Sequence, residues 1–179
     1  MPRFIALLRA INVGGNNVKM EQLRALFEEL GFTGVETFIA SGNVIFASVD
    51  GDVAVLTERI ERHLHQALGY EVATFLRAPE EIAAVARYQA FSEAALASAG
   101  ALNVAFLYKP LAETAQQSLQ AFTTEIDDFH TAGRELYWLC RVRQSDSTFS
   151  NAKFEKALRI KATFRGINTV RRLAAKYPA

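Results

Sequence analysis

The stretch Val35-Glu36-Thr37-Phe38-Ile39-Ala40-Ser41-Gly42-Asn43-Val44-Ile45-Phe46-Ala47 decides the fold. Val35 to Ala40 and Val44 to Ala47 are rich in β-branched and aromatic residues, and Ser41-Gly42-Asn43 between them has the chemistry of a hairpin turn. Two antiparallel strands are expected. Upstream, Phe4 to Leu8 is a short apolar run that reads as a buried strand, and Met20, Leu23, Leu26, Phe27 and Leu30 fall at helical spacing until Gly31 stops them. Downstream, Val53, Leu56, Ile60, Leu64 and Leu68 recur at three and four, and Glu71 to Ala78 alternates like a half-buried strand. The order is β-α-β-β-α-β, a split βαβ arrangement.

The rest of the chain repeats this pattern without evident sequence identity. Residues 79–100, opened by Pro79-Glu80-Glu81 and rich in alanine, read as a helical connector. Leu102 to Tyr108 reads as a strand, and Leu111, Ala115, Leu119 and Phe122 mark a helix. Glu125 to His130 and Glu135 to Val142 flank a turn at Ala132-Gly133. Phe154, Ala157 and Leu158 give a helix, Ala162 to Arg165 a short strand, and Val170, Leu173, Ala174 and Tyr177 a final helix. The spacing therefore predicts an α+β chain of two tandem ferredoxin-like halves with antiparallel sheets. The halves are residues 1–78 and 101–179, the connector is 79–100, and the last helix closes the chain.

With 179 residues, half of them apolar, the chain can bury a core without metal or disulfide support. The single Cys140 excludes an intramolecular disulfide and a cysteine-based zinc site, and points to a reducing, cytoplasmic setting. The run Phe4 to Leu8 is far below the ~20 apolar residues of a spanning helix, so neither a signal peptide nor a membrane partner is expected. Charge is unevenly placed: residues 1–140 sum to −7 and residues 141–179 to +8, giving +1 overall. A basic end on an acidic body suits an anionic partner or an internal electrostatic match.

Three clusters could carry chemistry. The first is Asn12-Val13-Gly14-Gly15-Asn16-Asn17, followed by Lys19, between a strand and a helix. Paired glycines let backbone N–H groups converge on an oxyanion at a helix start, whereas a wide turn of self-bonding asparagines needs the same residues. The loop lacks both Gly-Lys-Ser/Thr and G-x-G-x-x-G, so no nucleotide cofactor is expected. The second cluster is Ser41 and Asn43, either turn formers or polar lining groups. The third is basic: Ser150, Asn151 and Lys153 precede one helix, and Arg165, Asn168, Thr169, Arg171 and Arg172 surround the start of the next. Ser150 or Asn151, and then Asn168, are expected as N-caps, with the cations free to hold phosphate or simply to face water.

No pattern fixes a nucleophile with its base, so no catalytic residue is assigned. His63 and His65 are about 200° apart on a helix and cannot chelate one metal. Cys140 sits in the apolar Leu136-Tyr137-Trp138-Leu139 run as a packed strand residue. Phe106, Tyr108, Tyr137 and Trp138 fall in strands where a nucleic-acid-binding sheet would show stacking rings, but no basic-aromatic run accompanies them, so most are expected in the core.

Ala6-Leu7-Leu8-Arg9-Ala10-Ile11-Asn12-Val13-Gly14-Gly15-Asn16 with Val18-Lys19-Met20, then Ser41-Gly42-Asn43-Val44-Ile45-Phe46, resemble motifs of the bacterial domain-of-unknown-function family 1697. Ser150-Asn151, Phe154-Glu155-Lys156 and the Thr163, Arg165, Asn168-Thr169-Val170 pattern resemble its later patches. The chain departs from that pattern at Ala10, where the family usually has glycine, and at Gly166-Ile167, where it usually has Asn-Trp. Asp146 and Thr148 also stand at usually basic positions of a glycine-rich stretch. The resemblance implies a fold and a site position without a reaction. The expected function is binding of a phosphate-bearing ligand, nucleotide or nucleic acid through the glycine loop and the basic C-terminal cluster. The alternatives are an enzyme on a small phosphorylated substrate and a protein-interaction module.

Overall fold

The computed structural model describes residues 1–12 and 14–179; Val13, within the quoted glycine loop, lies outside the described residues. The chain divides into two compact units, Met1–Ala83 with Leu173–Ala179, and Ala84–Arg172.

The first unit runs β1 (Arg3–Leu8), α1 (Met20–Glu29), β2 (Thr33–Thr37), β3 (Asn43–Ala47), α2 (Val53–Leu68) and β4 (Thr74–Arg77), and α3 (Pro79–Arg87) begins in it. Its sheet has the order β2-β3-β1-β4 with every neighbouring pair antiparallel, as a split βαβ requires. β1 is apolar along its length because it is central: Phe4 to Leu8 are all buried. Phe4, Ala6 and Leu8 face Leu23 and Phe27 of α1 and Leu56, Ile60 and Leu64 of α2. The Phe46 ring stacks on Phe32 at 4.3 Å and on Phe4 at 5.6 Å. The Asp52 carboxylate caps α2 through the N–H groups of Ala54 and Val55, and Gly69, with φ of 83°, ends it.

The hairpin differs from expectation in its turn. β2 stops at Thr37 instead of reaching Ala40, because Ile39 adopts a left-handed φ of 52° that no strand tolerates. The Phe38 N–H donates to the Asn43 carbonyl at 2.9 Å and closes a five-residue connection, 38–42.

The second unit holds α4 (Glu93–Ala97), β5 (Ala101–Phe106), α5 (Glu113–Gln120), β6 (Asp127–Ala132), β7 (Glu135–Cys140), α6 (Asn151–Leu158), β8 (Thr163–Gly166) and the first part of α7 (Ile167–Lys176). The sheet order β6-β7-β5-β8 repeats that of the first unit, again all antiparallel. Ala105, Leu136 and Trp138 pack with Leu119 of α5 and Phe154 of α6. The buried Asp127 carboxylate accepts from Trp138 Nε1 at 2.8 Å and from Ser147 Oγ at 2.6 Å, fastening the segment before α6 to the start of β6. The faces turned away from these helices are buried too. Ile5, Leu7, Ile45 and Phe75 in the first sheet and Val104, Phe106, Tyr137 and Leu139 in the second are each at most 2% exposed. Neither sheet presents stacking rings to a base among the described residues.

Tyr177, past the end of α7, seals the first unit: its hydroxyl donates to Glu36 at 2.8 Å and its ring meets Phe38 edge-on. Burial, with the Glu36 hydrogen bond second, pushes the phenol up to about 12. The unfolded chain, with tyrosine near 10, releases this proton first, so the contribution is present below pH ~10 and lost as pH rises towards 12. Urea midpoints of Tyr177→Phe should fall less steeply between pH 9.5 and pH 11.5 than those of the unmodified chain; parallel declines would refute this role.

Candidate functional site

The glycine loop and the hairpin turn form one hydrogen-bonded cluster in the first unit. Asn12 holds a left-handed φ of 57°, a conformation that asparagine tolerates. Its Nδ2 donates to the Ala40 carbonyl at 2.8 Å, its Oδ1 accepts from the Val18 N–H at 2.8 Å, and its own N–H donates to the Asn16 carbonyl at 2.8 Å. One side chain thus closes the loop and ties it to the turn. From the other side the Leu8 N–H donates to the Gly42 carbonyl at 2.8 Å. Gly42 has φ of 87°, and a Cβ there would lie 3.0 Å from Ile11 Cβ and 3.2 Å from Leu8 Cβ. Only glycine satisfies both the dihedral and the approach.

Asn43 is fully buried as the first residue of β3, and its Nδ2 donates to the Phe38 carbonyl and to Ser41 Oγ. It shapes the turn from inside, leaving Ser41 as the exposed polar group. Gly14 and Gly15, with φ of 61° and 88°, are exposed, and nothing lies within 4 Å of where their Cβ atoms would be. Lys19 is the exposed N-cap of α1, in extended conformation, and its side chain makes no capping bond. The open glycines, the helix start and the Lys19 ammonium are arranged in sequence along one short segment. Glu21 is the acidic residue of that first turn.

The third cluster lies in the second unit. Ser150 caps α6, its Oγ accepting from the Lys153 N–H at 3.2 Å. Asn151 is the first residue of α6 and donates from Nδ2 to the Ala162 carbonyl at 3.2 Å. Arg165, expected beside a surface anion site, is only 7% exposed and donates to Thr163 Oγ1 at 2.8 Å and the Phe164 carbonyl at 3.0 Å. Burial draws its guanidinium down to about 10, which leaves it charged at neutral pH. Asn168 is not the N-cap that the sequence suggests: α7 starts at Ile167, directly from the end of β8, so Asn168 lies exposed within the first turn. Thr169 is half-buried there, and Arg172 is exposed.

Cys140 is buried, and that burial is the first cause raising its thiol above the ordinary range. His130 accepts or donates at 2.8 Å with the Tyr88 hydroxyl and stacks on that ring. The buried Asp127 was invisible in the sequence because nothing in a strand-start aspartate signals that Trp138 and Ser147 converge on it.

The geometry ranks substitutions. Gly42→Ala strains a left-handed backbone and overpacks Ile11 and Leu8, so a loss of about 2–4 kcal/mol is expected. Gly14→Ala meets open space and should cost about 1 kcal/mol from its dihedral alone. Urea unfolding of the two variants checks this, and equal losses would contradict the close approach. The Cys140 thiol should stay unreactive to Ellman's reagent until denaturant is added.

Among solved structures the chain is similar to the conserved bacterial protein SP0830 from Streptococcus pneumoniae. The TM-score is 0.69 and the identity 23%, over 100% of this chain and 99% of that one, a likeness of fold. No curated protein matches the chain. The family model described as "Protein of unknown function (DUF1697)" matches residues 1–137, which include the Asn12 loop and the Gly42 turn and stop before α6. With that match over most of its length, the chain belongs to the DUF1697 family.

Proposed function

We propose that the chain binds a small phosphate-bearing ligand at the Asn12 to Lys19 loop of its first unit. The carrying observation is that α1 follows Lys19, an N-cap that makes no side-chain capping bond, shortly after a loop whose two glycines are open to solvent. A helix start carries roughly half a positive charge and offers N–H donors, and missing Cβ atoms let an oxyanion reach the backbone. Lys19 adds a full charge, and the exposed Ser41 hydroxyl is linked to the same cluster through the turn that Asn12 grips. The proposed role is binding: His130 is engaged with Tyr88 and the Cys140 thiol is buried, so neither supports an enzymatic reading. The proposed setting is the cytoplasm, supported by that one buried, unpaired cysteine. No helix among the described residues is long and apolar enough to cross a membrane.

Thermal melts in phosphate, sulfate or nucleoside monophosphate, against chloride at matched ionic strength, test the reading. A ligand at a hundred times its dissociation constant stabilises by about 2.7 kcal/mol, a shift of several degrees. The double variant Gly14→Val with Gly15→Val should lose that shift, as valine resists positive φ and fills the approach. If no anion moves the melting temperature and the double variant simply melts lower, the loop is a connector.

A further inference from the structure

The exposed cations of α1 and α2 differ from those of α6. On α1 and α2 they are neutralised: Arg24 pairs with Glu28, Arg62 with Glu58, and Arg59 donates to the Leu30 carbonyl. On α6 they are not. Lys153, Lys156 and Arg159 are exposed, and among the described residues no carboxylate lies within ion-pair distance of any of them. The one acidic residue between them, Glu155, is turned inward, where Oε2 accepts from the Ala162 N–H at 3.1 Å.

Two further features belong to the same edge. Phe154 is the buried residue of α6, and Lys153 and Lys156, three apart, lie on the side away from it. Arg159 ends the helix in a left-handed conformation, φ 55° and ψ 39°, where glycine is the unstrained choice. The edge therefore carries a charge at a position where the backbone favours no side chain at all.

We infer that α6 and its C-terminal edge, Lys153, Lys156 and Arg159, form an electrostatic track for the phosphodiester backbone of a nucleic acid. Lys153 to Arg159 spans about 9 Å of helix, the scale of two to three nucleotides at about 3.4 Å per phosphate. Among the described residues the exposed large apolar ones, Met1, Ile39, Val49, Val53, Val55, Tyr88, Tyr108 and Ile126, all lie outside this segment, so it offers no large apolar side chain to insert into a bilayer. With neither stacking rings nor base-reading side chains on the edge, recognition is of the backbone and independent of sequence. The track is made of residues other than those of the proposed small-ligand site and does not rest on it.

Fluorescence anisotropy of the full chain with a mixed-sequence 20-nucleotide single strand, over a salt series, tests the track. Three contacts predict a log–log salt slope near −2, at about 0.7 per phosphate. Lys153→Gln with Lys156→Gln and Arg159→Gly should flatten that slope by about 2 and weaken low-salt binding more than tenfold. Arg159→Gly alone should weaken binding without lowering the melting temperature, because it relieves the left-handed residue. Arg24→Gln with Arg62→Gln, and separately Gly14→Val with Gly15→Val, should leave the slope unchanged. An unchanged slope in the triple variant overturns the track. So does capture by phosphatidylserine vesicles without oligonucleotide binding, or loss of oligonucleotide binding in the glycine-loop variant.

Discussion

The side chain of Asn12 is the constraint on which the candidate site depends. Its amide spans two segments that are 28 residues apart, donating to Ala40 while accepting from Val18. With the Leu8 N–H to Gly42 carbonyl bond and the packing of Ile11 on Gly42, it holds the glycine loop against the hairpin turn. The part-buried bond from Val18 contributes about 0.5–1.5 kcal/mol, and the exposed one to Ala40 less. That is enough to hold a loop whose own residues have little apolar surface to bury.

Backbone strain gathers around that side chain. Among the described residues the non-glycine positions with left-handed φ are Ala10, Asn12, Ile39 and Arg159, and the first three lie in the loop or the turn. Each costs roughly 1–2 kcal/mol relative to an ordinary conformation. The central strand β1 and the Phe46 ring stack supply the rigid frame that tolerates this, since both faces of that strand are buried. Strain concentrated on one exposed corner of a well-packed unit is the pattern of a segment shaped for a purpose other than connection. The fourth left-handed residue, Arg159, ends α6 beside the exposed Lys156 of the second unit.

Strand order and the central place of β1 and β5 were legible because burial on both faces leaves an unbroken apolar run, as in Phe4 to Leu8. The extent of α2 was legible from its apolar repeat, Val53 to Leu68, whose ends Asp52 and Gly69 cap in the structure. The turn after β2 was not: Phe38-Ile39-Ala40 reads as strand by composition, and only the tertiary pull of Asn12 and Asn43 places Ile39 in the left-handed region. The burial of Arg165 was equally hidden, because an arginine in a short polar strand looks exposed until Thr163 and the Phe164 carbonyl are found receiving it. Asn168 misled for a third reason: a capping residue type is no cap when the chain passes from strand to helix without a linker.

The central claim, that the loop and turn act as one preorganised anion site, is tested most directly by following backbone amide resonances during a phosphate titration. The account predicts saturable shifts at Gly14, Gly15, Lys19 and the first turn of α1, together with Ser41 and Gly42 through the Asn12 link. Asn12→Ala should abolish the response at Ser41 and Gly42. Shifts that never saturate, or that leave Gly14 to Lys19 untouched, would contradict it.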